Sequence, residues 1–161
     1  MLILDTAIPA LPANAFRGFT ILRIVLNRCT LSQIDDNAFD GPLLDSLVEL
    51  DLSDNQLGGV PQTGVPRLRN LRKLYLNRNR INQLDSNSFI RYESRDLLQK
   101  LELASNRLTN QGLGDSTVFR PLRFPLPSLS FLLYYFFLVA VINFYLYRLT
   151  CFSWFYNDSI V

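Results

Sequence analysis

Four stretches of this chain share one spacing of apolar residues. They are Ile21-x-x-Ile24-x-Leu26-x-x-Cys29-x-Leu31, Leu47-x-x-Leu50-x-Leu52-x-x-Asn55-x-Leu57, Leu71-x-x-Leu74-x-Leu76-x-x-Asn79-x-Ile81 and Leu98-x-x-Leu101-x-Leu103-x-x-Asn106-x-Leu108. The steps from Leu26 to Leu52, Leu76 and Leu103 are 26, 24 and 27 residues. Helical faces repeat every three to four residues and strand faces every two, so neither element alone has this rhythm. A short strand followed by a bend does. In the third copy, Leu74 and Leu76 then point to one inner side, and the chain turns before Ile81 and Leu84 rejoin the core. One such unit cannot enclose its own apolar face, so successive units must stack.

The Asn or Cys in each copy belongs to the same design. A buried side-chain amide can bond backbone groups that a bend leaves unpaired, each worth about 1–3 kcal/mol if orphaned. Cys29 fits the slot as a small, buried, weakly hydrogen-bonding residue, which is a structural role rather than that of a reactive thiol. The spacing L-x-x-L-x-L-x-x-N/C-x-L and its period resemble the leucine-rich repeat family. The resemblance implies an α/β fold: a curved solenoid with a parallel β-sheet on its concave face and irregular or short helical segments on its convex side.

A second column agrees with this alignment. Phe16, Phe39 and Phe89 each follow an inward aliphatic residue (Leu11, Ile34, Leu84) by five positions, and each has an Asn two residues before it. These N-A-F and N-S-F turns resemble those of extracellular leucine-rich repeat proteins, in which the Phe packs beneath the convex side. Val65 takes the Phe position in one repeat, and Pro61 and Pro66 predict an extended segment there rather than a helix. Met1, Ile3, Thr6 and Ile8 fall in the slots of Ile24, Leu26, Cys29 and Leu31, so the chain is expected to start inside a repeat. Without an N-terminal cap or a secretory signal, it reads as an internal part of a longer protein.

Charge divides the chain. Only Arg148 and Asp158 of its 30 charged residues, 16 basic and 14 acidic, lie beyond position 123. Residues 1–123 form the repeat domain, a partial repeat plus four full ones. Residues 124–161 form an apolar, aromatic tail. Within it, Leu129 to Tyr147 reads LSFLLYYFFLVAVINFYLY. A run of about 20 apolar residues spans a hydrocarbon core of ~30 Å, which makes 128–148 a candidate transmembrane helix. The alternative is that the repeat pattern simply breaks. Phe119-Arg120-Pro121-Leu122-Arg123 begins the lead-in to a fifth repeat, but Pro125, Ser128 and Ser130 then stand where inward apolar residues belong. On that reading the tail is an artefact of a faulty gene model.

The residues argue against chemistry. Histidine is absent and there are two cysteines, so a Ser/His/Asp set, a disulfide framework and a Cys-rich metal site are not expected. No P-loop, nucleophile elbow or dinucleotide fingerprint occurs. Neither a cofactor nor a small-molecule substrate is indicated. The near-balance of charge excludes an electrostatic nucleic-acid binder. Asp35-Asp36 reads as turn capping. Arg67, Arg69, Arg72, Lys73, Arg78 and Arg80 form a local basic cluster, suited to solvent, an acidic partner or a sulphated glycan.

What remains is a surface. Residues flanking the inward leucines point outward and align across strands into three columns: Arg23, Glu49, Lys73, Lys100; Val25, Asp51, Tyr75, Glu102; and Asn27, Ser53, Asn77, Ala104. Mutual neutralisation accounts for Arg23 beside Glu49 and Glu49 beside Lys73. A protein-binding face accounts for the same residues with Tyr75 at its centre, and solenoids offer such faces to extended partners. The expected partner-binding set is Arg23, Glu49, Asp51, Lys73, Tyr75, Asn77, Arg78 and Glu102. The resemblance implies a non-enzymatic, cell-surface receptor or adhesion protein, single-pass or extracellular. The alternatives are an intracellular scaffold and a secreted matrix protein with a spurious tail.

Overall fold

The computed structural model describes residues 1–4, 6–109, 119 and 122. Five short strands, β1 (Leu2–Leu4), β3 (Arg23–Leu26), β5 (Glu49–Asp51), β6 (Lys73–Tyr75) and β7 (Lys100–Glu102), pair in parallel in the order β1-β3-β5-β6-β7. The register sets Leu2, Ile24, Leu50, Leu74 and Leu101 side by side, and Leu2 and Leu4, rather than the expected Met1 and Ile3, fill the slots of Ile24 and Leu26. Ile24, Leu50, Leu74 and Leu101 are buried, as are Leu26, Leu52, Leu76 and Leu103 behind them. The inner row is therefore the aliphatic spacing itself, carried through space one repeat at a time. The order follows sequence, because each unit lies against the next.

The bends depend on asparagine. Asn55 Nδ2 donates to the carbonyls of Leu26, Leu52 and Ser53 at 2.7, 3.0 and 3.1 Å, while its Oδ1 accepts from the amides of Cys29 and Leu31. Asn79 donates to the carbonyls of Leu52, Leu76 and Asn77 and accepts from the Leu57 amide. Asn106 repeats the arrangement on Leu76, Leu103 and Ile81. Each amide thus ties its own bend to the preceding repeat. In the same slot the Cys29 thiol points at the carbonyls of Leu4 and Asn27, buried and free of any disulfide. The residue just before the slot is left-handed in every copy: Arg28, Asp54, Arg78 and Ser105 have φ of 57°, 59°, 51° and 56°.

The far side holds a second sheet that the sequence did not announce. There β2 (Ala10–Leu11) and β4 (Gln33–Ile34) pair in parallel. The helical part of the expected α/β class reduces, among the described residues, to α1 (Leu43–Ser46) and a 3-10 turn at Val65–Arg67. That turn corrects the extended segment expected around Pro66. Pro66 sits in the first turn, where a missing N–H costs no hydrogen bond, and Gly64 enters it at φ 63°. Any side chain at 64 would put its Cβ 2.7 Å from the Asp35 carbonyl oxygen.

The aromatic column is continuous. Phe16 stacks on Phe39 at 5.5 Å, Val65 is fully buried, and Phe89 stacks on Phe119 at 6.1 Å. Phe119 and Leu122 form the start of the fifth lead-in. The Leu122 amide bonds Phe119 O at 3.0 Å as the Leu68 amide bonds Val65 O at 3.1 Å, and Leu122 is buried in the common core. The 27-residue step is longer because Tyr92 folds inside it, its hydroxyl donating to Pro61 O at 2.8 Å. Burial pushes that hydroxyl's pKa up, so it stays a protonated donor. The tail 124–161 and the helix expected over 128–148 lie outside the described residues. Among those described, no helix is long and apolar enough to cross a membrane.

Candidate protein-binding face

The outer surface of the five-stranded sheet brings the expected residues together. Arg23, Glu49, Lys73 and Lys100 occupy one row of the register, and Val25, Asp51, Tyr75 and Glu102 the next but one. Beyond the strands, Asp54 N bonds Asn77 O and Arg78 N bonds Ala104 O, extending the alignment into the turns. All eight expected residues therefore lie on one face, with Arg78 at its turn edge.

Most of their polar groups are engaged with one another. Glu49 accepts Arg23 at 3.1 Å on one side and faces Lys73 at 3.6 Å on the other. Asp51 accepts from Asn27 at 3.3 Å and from the Ser53 amide at 3.0 Å. Asn77 donates to Glu102 at 2.5 Å and accepts from the Ala104 amide at 2.8 Å. Lys100 lies opposite the like-charged Lys73, turns to Glu102 at 2.8 Å, and stands 4.9 Å above the Tyr75 ring. That geometry is a cation–π contact. Hydrogen bonding to Glu102 raises the Lys100 pKa. Burial alone would push the Glu102 carboxyl up, yet the bonds from Lys100 and Asn77 hold it below its usual value.

Two outward residues are not available to a partner. Val25 is covered between Ile3 and Asp51, its register neighbours, and Ser53 is likewise buried. One participant escaped the three-column reading. Asp54 holds the Arg78 guanidinium with both carboxylate oxygens, at 2.5 and 2.6 Å. The signal was present, since Arg28, Asp54 and Arg78 alternate in sign one residue before the Cys/Asn slot. The bond from Arg78 holds the Asp54 carboxyl below its usual 3.8 and raises the arginine.

This gives a pH dependence with a fixed sign. The unfolded chain binds the Asp54 proton more readily than the folded one, so stability rises with pH across the window. The pair's contribution is present above pH 3.8 and fades as pH falls through the lowered folded value. The pair is partly exposed, so the effect is about 0.5 kcal/mol. Urea midpoints at neutral and acidic pH should show Asp54→Asn costing more at neutral pH, with the gap closing in acid. An equal cost at both would remove the pair from the account.

Among the described residues no group of three or more His, Cys, Asp or Glu is placed to hold a metal. Chemically the face offers cations, carboxylates, amides and one phenol on a rigid sheet, a surface for recognition. A stack of parallel strand-and-turn units with such a face defines a repeat solenoid. The family model for the leucine rich repeat matches residues 17–81 and, overlapping, 45–108. The chain belongs to the leucine-rich repeat family.

Among known proteins it is similar to lumican of Gallus gallus, 37% identical over 115 residues, covering 68% of this chain and 32% of that protein. Lumican of Rattus norvegicus is 33% identical over 111 residues, covering 67% and 31%. Fibromodulin of Bos taurus is 39% identical over 83 residues, covering 50% and 20%. The chain spans about a third or less of the length of these relatives.

Proposed function

We propose that this chain is a non-enzymatic protein-binding module that receives its partner across the sheet face, within an extracellular leucine-rich repeat protein of the matrix type. The observation that carries the binding reading is the row of Lys73 and Tyr75 on β6, with Asn77 in the turn after it, set between charged neighbours on both sides. Tyr75 is half-buried, with one side of its ring under Lys100. A tyrosine held in place presents large area at little entropic cost, and Tyr is enriched among residues that dominate binding energy.

Similarity to lumican and fibromodulin favours a secreted matrix protein over a receptor, an adhesion protein or an intracellular scaffold. Membrane anchorage has support only from the apolar sequence of 128–148.

Because the face's charges are already paired, they supply orientation and selectivity, and Tyr75 supplies the affinity. Tyr75→Ala should weaken an extracellular protein partner by ~2 kcal/mol, about thirtyfold. Lys73→Glu, which places a second carboxylate beside Glu49, should weaken it as well. Surface plasmon resonance with the immobilised chain reads both, with circular dichroism as the check on folding. Loss confined to substitutions on the opposite side, such as Gln33→Ala or Gln62→Ala, would overturn the reading.

A further inference from the structure

Past the strands, each repeat passes through the position after its asparagine: Gln56, Arg80 and Arg107. Their amides bond Leu31 O, Leu57 O and Ile81 O at 2.9, 2.9 and 2.8 Å, so the three side chains form one row along the turn edge of the sheet. Successive members of such a row are about 5 Å apart. Arg80 and Arg107 are exposed, and among the described residues neither has a carboxylate partner. The face's own acids are engaged elsewhere: Glu49 by Arg23 and Lys73, Asp51 by Asn27 and the Ser53 amide, Asp54 by Arg78, Glu102 by Lys100. Arg78, two residues before Arg80, is already neutralised by Asp54 and leaves Arg80 and Arg107 as the cations of this row.

The geometry points to an anion-binding edge at Arg80 and Arg107 that takes a sulfated polysaccharide. Adjacent like charges without a counter-charge raise the local potential and gather counterions, which a linear polyanion releases. Guanidinium forks match the planar, multi-oxygen groups that such a chain repeats along its length. An acidic peptide is the less suited ligand. Tight protein partners seat their anchors in well-packed, desolvated pockets, and Asn82, Gln83 and Ser105, the exposed neighbours here, are all polar. The large exposed apolar residues, among them Phe19, Leu22, Ile90 and Leu97, are not in this row. Arg80 and Arg107 belong to none of the eight positions of the sheet-face set, so the inference does not depend on the reading proposed for that face.

The test uses the full 161-residue chain and a heparin oligosaccharide, with binding followed by isothermal titration between about 0.05 and 0.2 M salt. Each arginine replaced by alanine should lower the slope of log affinity against log salt by about one, and Arg80→Ala with Arg107→Ala by about two. Arg72→Ala removes an exposed arginine at the opposite end of its strand and should leave the slope unchanged. Poly-glutamate at matched charge should bind at least tenfold more weakly. The proposal is overturned if heparin does not bind, if the double variant keeps the full slope, or if poly-glutamate binds as well. An equal loss in Arg72→Ala would also overturn it, since attraction would then be diffuse.

Discussion

Phe39→Ala should lower the stability of this chain by ~3–5 kcal/mol, seen as a fall in the urea midpoint. Phe39 is fully buried, stacked on Phe16 at 5.5 Å and 14° between ring planes, and lies in the column that continues through Val65 to Phe89. The expected cost is at the upper end for a core truncation because two repeats lose packing at once. The ring fills the space between the units, and neither backbone can close over the void while the sheet fixes their separation. Phe39→Leu should recover much of the loss. A cost below about 1 kcal/mol would mean that the far side of the stack collapses freely, and that the aromatic column is not what sets the spacing there.

Asn55→Ala should cost roughly 3–5 kcal/mol, although it removes only a few atoms. The substitution strips the side-chain partner from the buried amides of Cys29 and Leu31 and from the carbonyl of Leu26, while the Leu52 carbonyl keeps its bond from Asn79. Each orphaned buried group costs about 1–3 kcal/mol, and small domains have only about 5–15 kcal/mol in total. Asn55→Asp is a sharper probe. Its carboxylate keeps both acceptor bonds but loses the donor facing three carbonyls, and sets negative charge against them. It should therefore be no better than alanine. If Asn55→Ala were nearly neutral, water would have to serve the bend in its place, and the recurring Asn would not be structural.

Both predictions rest on residues that were legible beforehand, and the reason is physical. Leucines that alternate across a strand and an amide buried in a bend leave a fixed spacing, because each must meet its equivalent in the next unit. Leu50, Leu74 and Leu101 duly share one register row, and Asn55, Asn79 and Asn106 repeat one set of bonds. Backbone pairing leaves no such trace. The sheet formed by Ala10–Leu11 and Gln33–Ile34 needs no particular side chains, so composition was silent about it. Pro66 argued for an extended segment only because its place in the first turn of a 3-10 helix depends on Gly64, whose backbone is set by tertiary packing. Tyr92 was missed because its partner, the Pro61 carbonyl, is 31 residues away.

The outer face was legible as columns and not as a network. Arg23, Glu49 and Lys73 were placed correctly by the two-residue period. The same period sets Lys73 against Lys100, a repulsive pair, and gives no hint that Lys100 turns instead to Glu102 and Tyr75. Arg78 was placed at the edge, but its pairing with Asp54 was harder still to see. Both lie in left-handed turns, where side-chain direction follows neither helical nor strand periodicity. The consequence is functional. Charges that satisfy one another across repeats leave little uncompensated charge on the face, so in the proposed function the weight of recognition falls on Tyr75.

Amide hydrogen exchange, with and without a bound extracellular protein partner, tests that account most directly. The sheet-face segments Glu49–Asp51, Lys73–Tyr75 and Lys100–Glu102, with the turns at 77–78 and 104, should gain protection on binding. The opposite side, at Gln33–Ile34 and 58–63, should exchange as it does in the free chain. Protection confined to that opposite side, with Lys73–Tyr75 unchanged, would contradict the assignment of the sheet face as the binding surface.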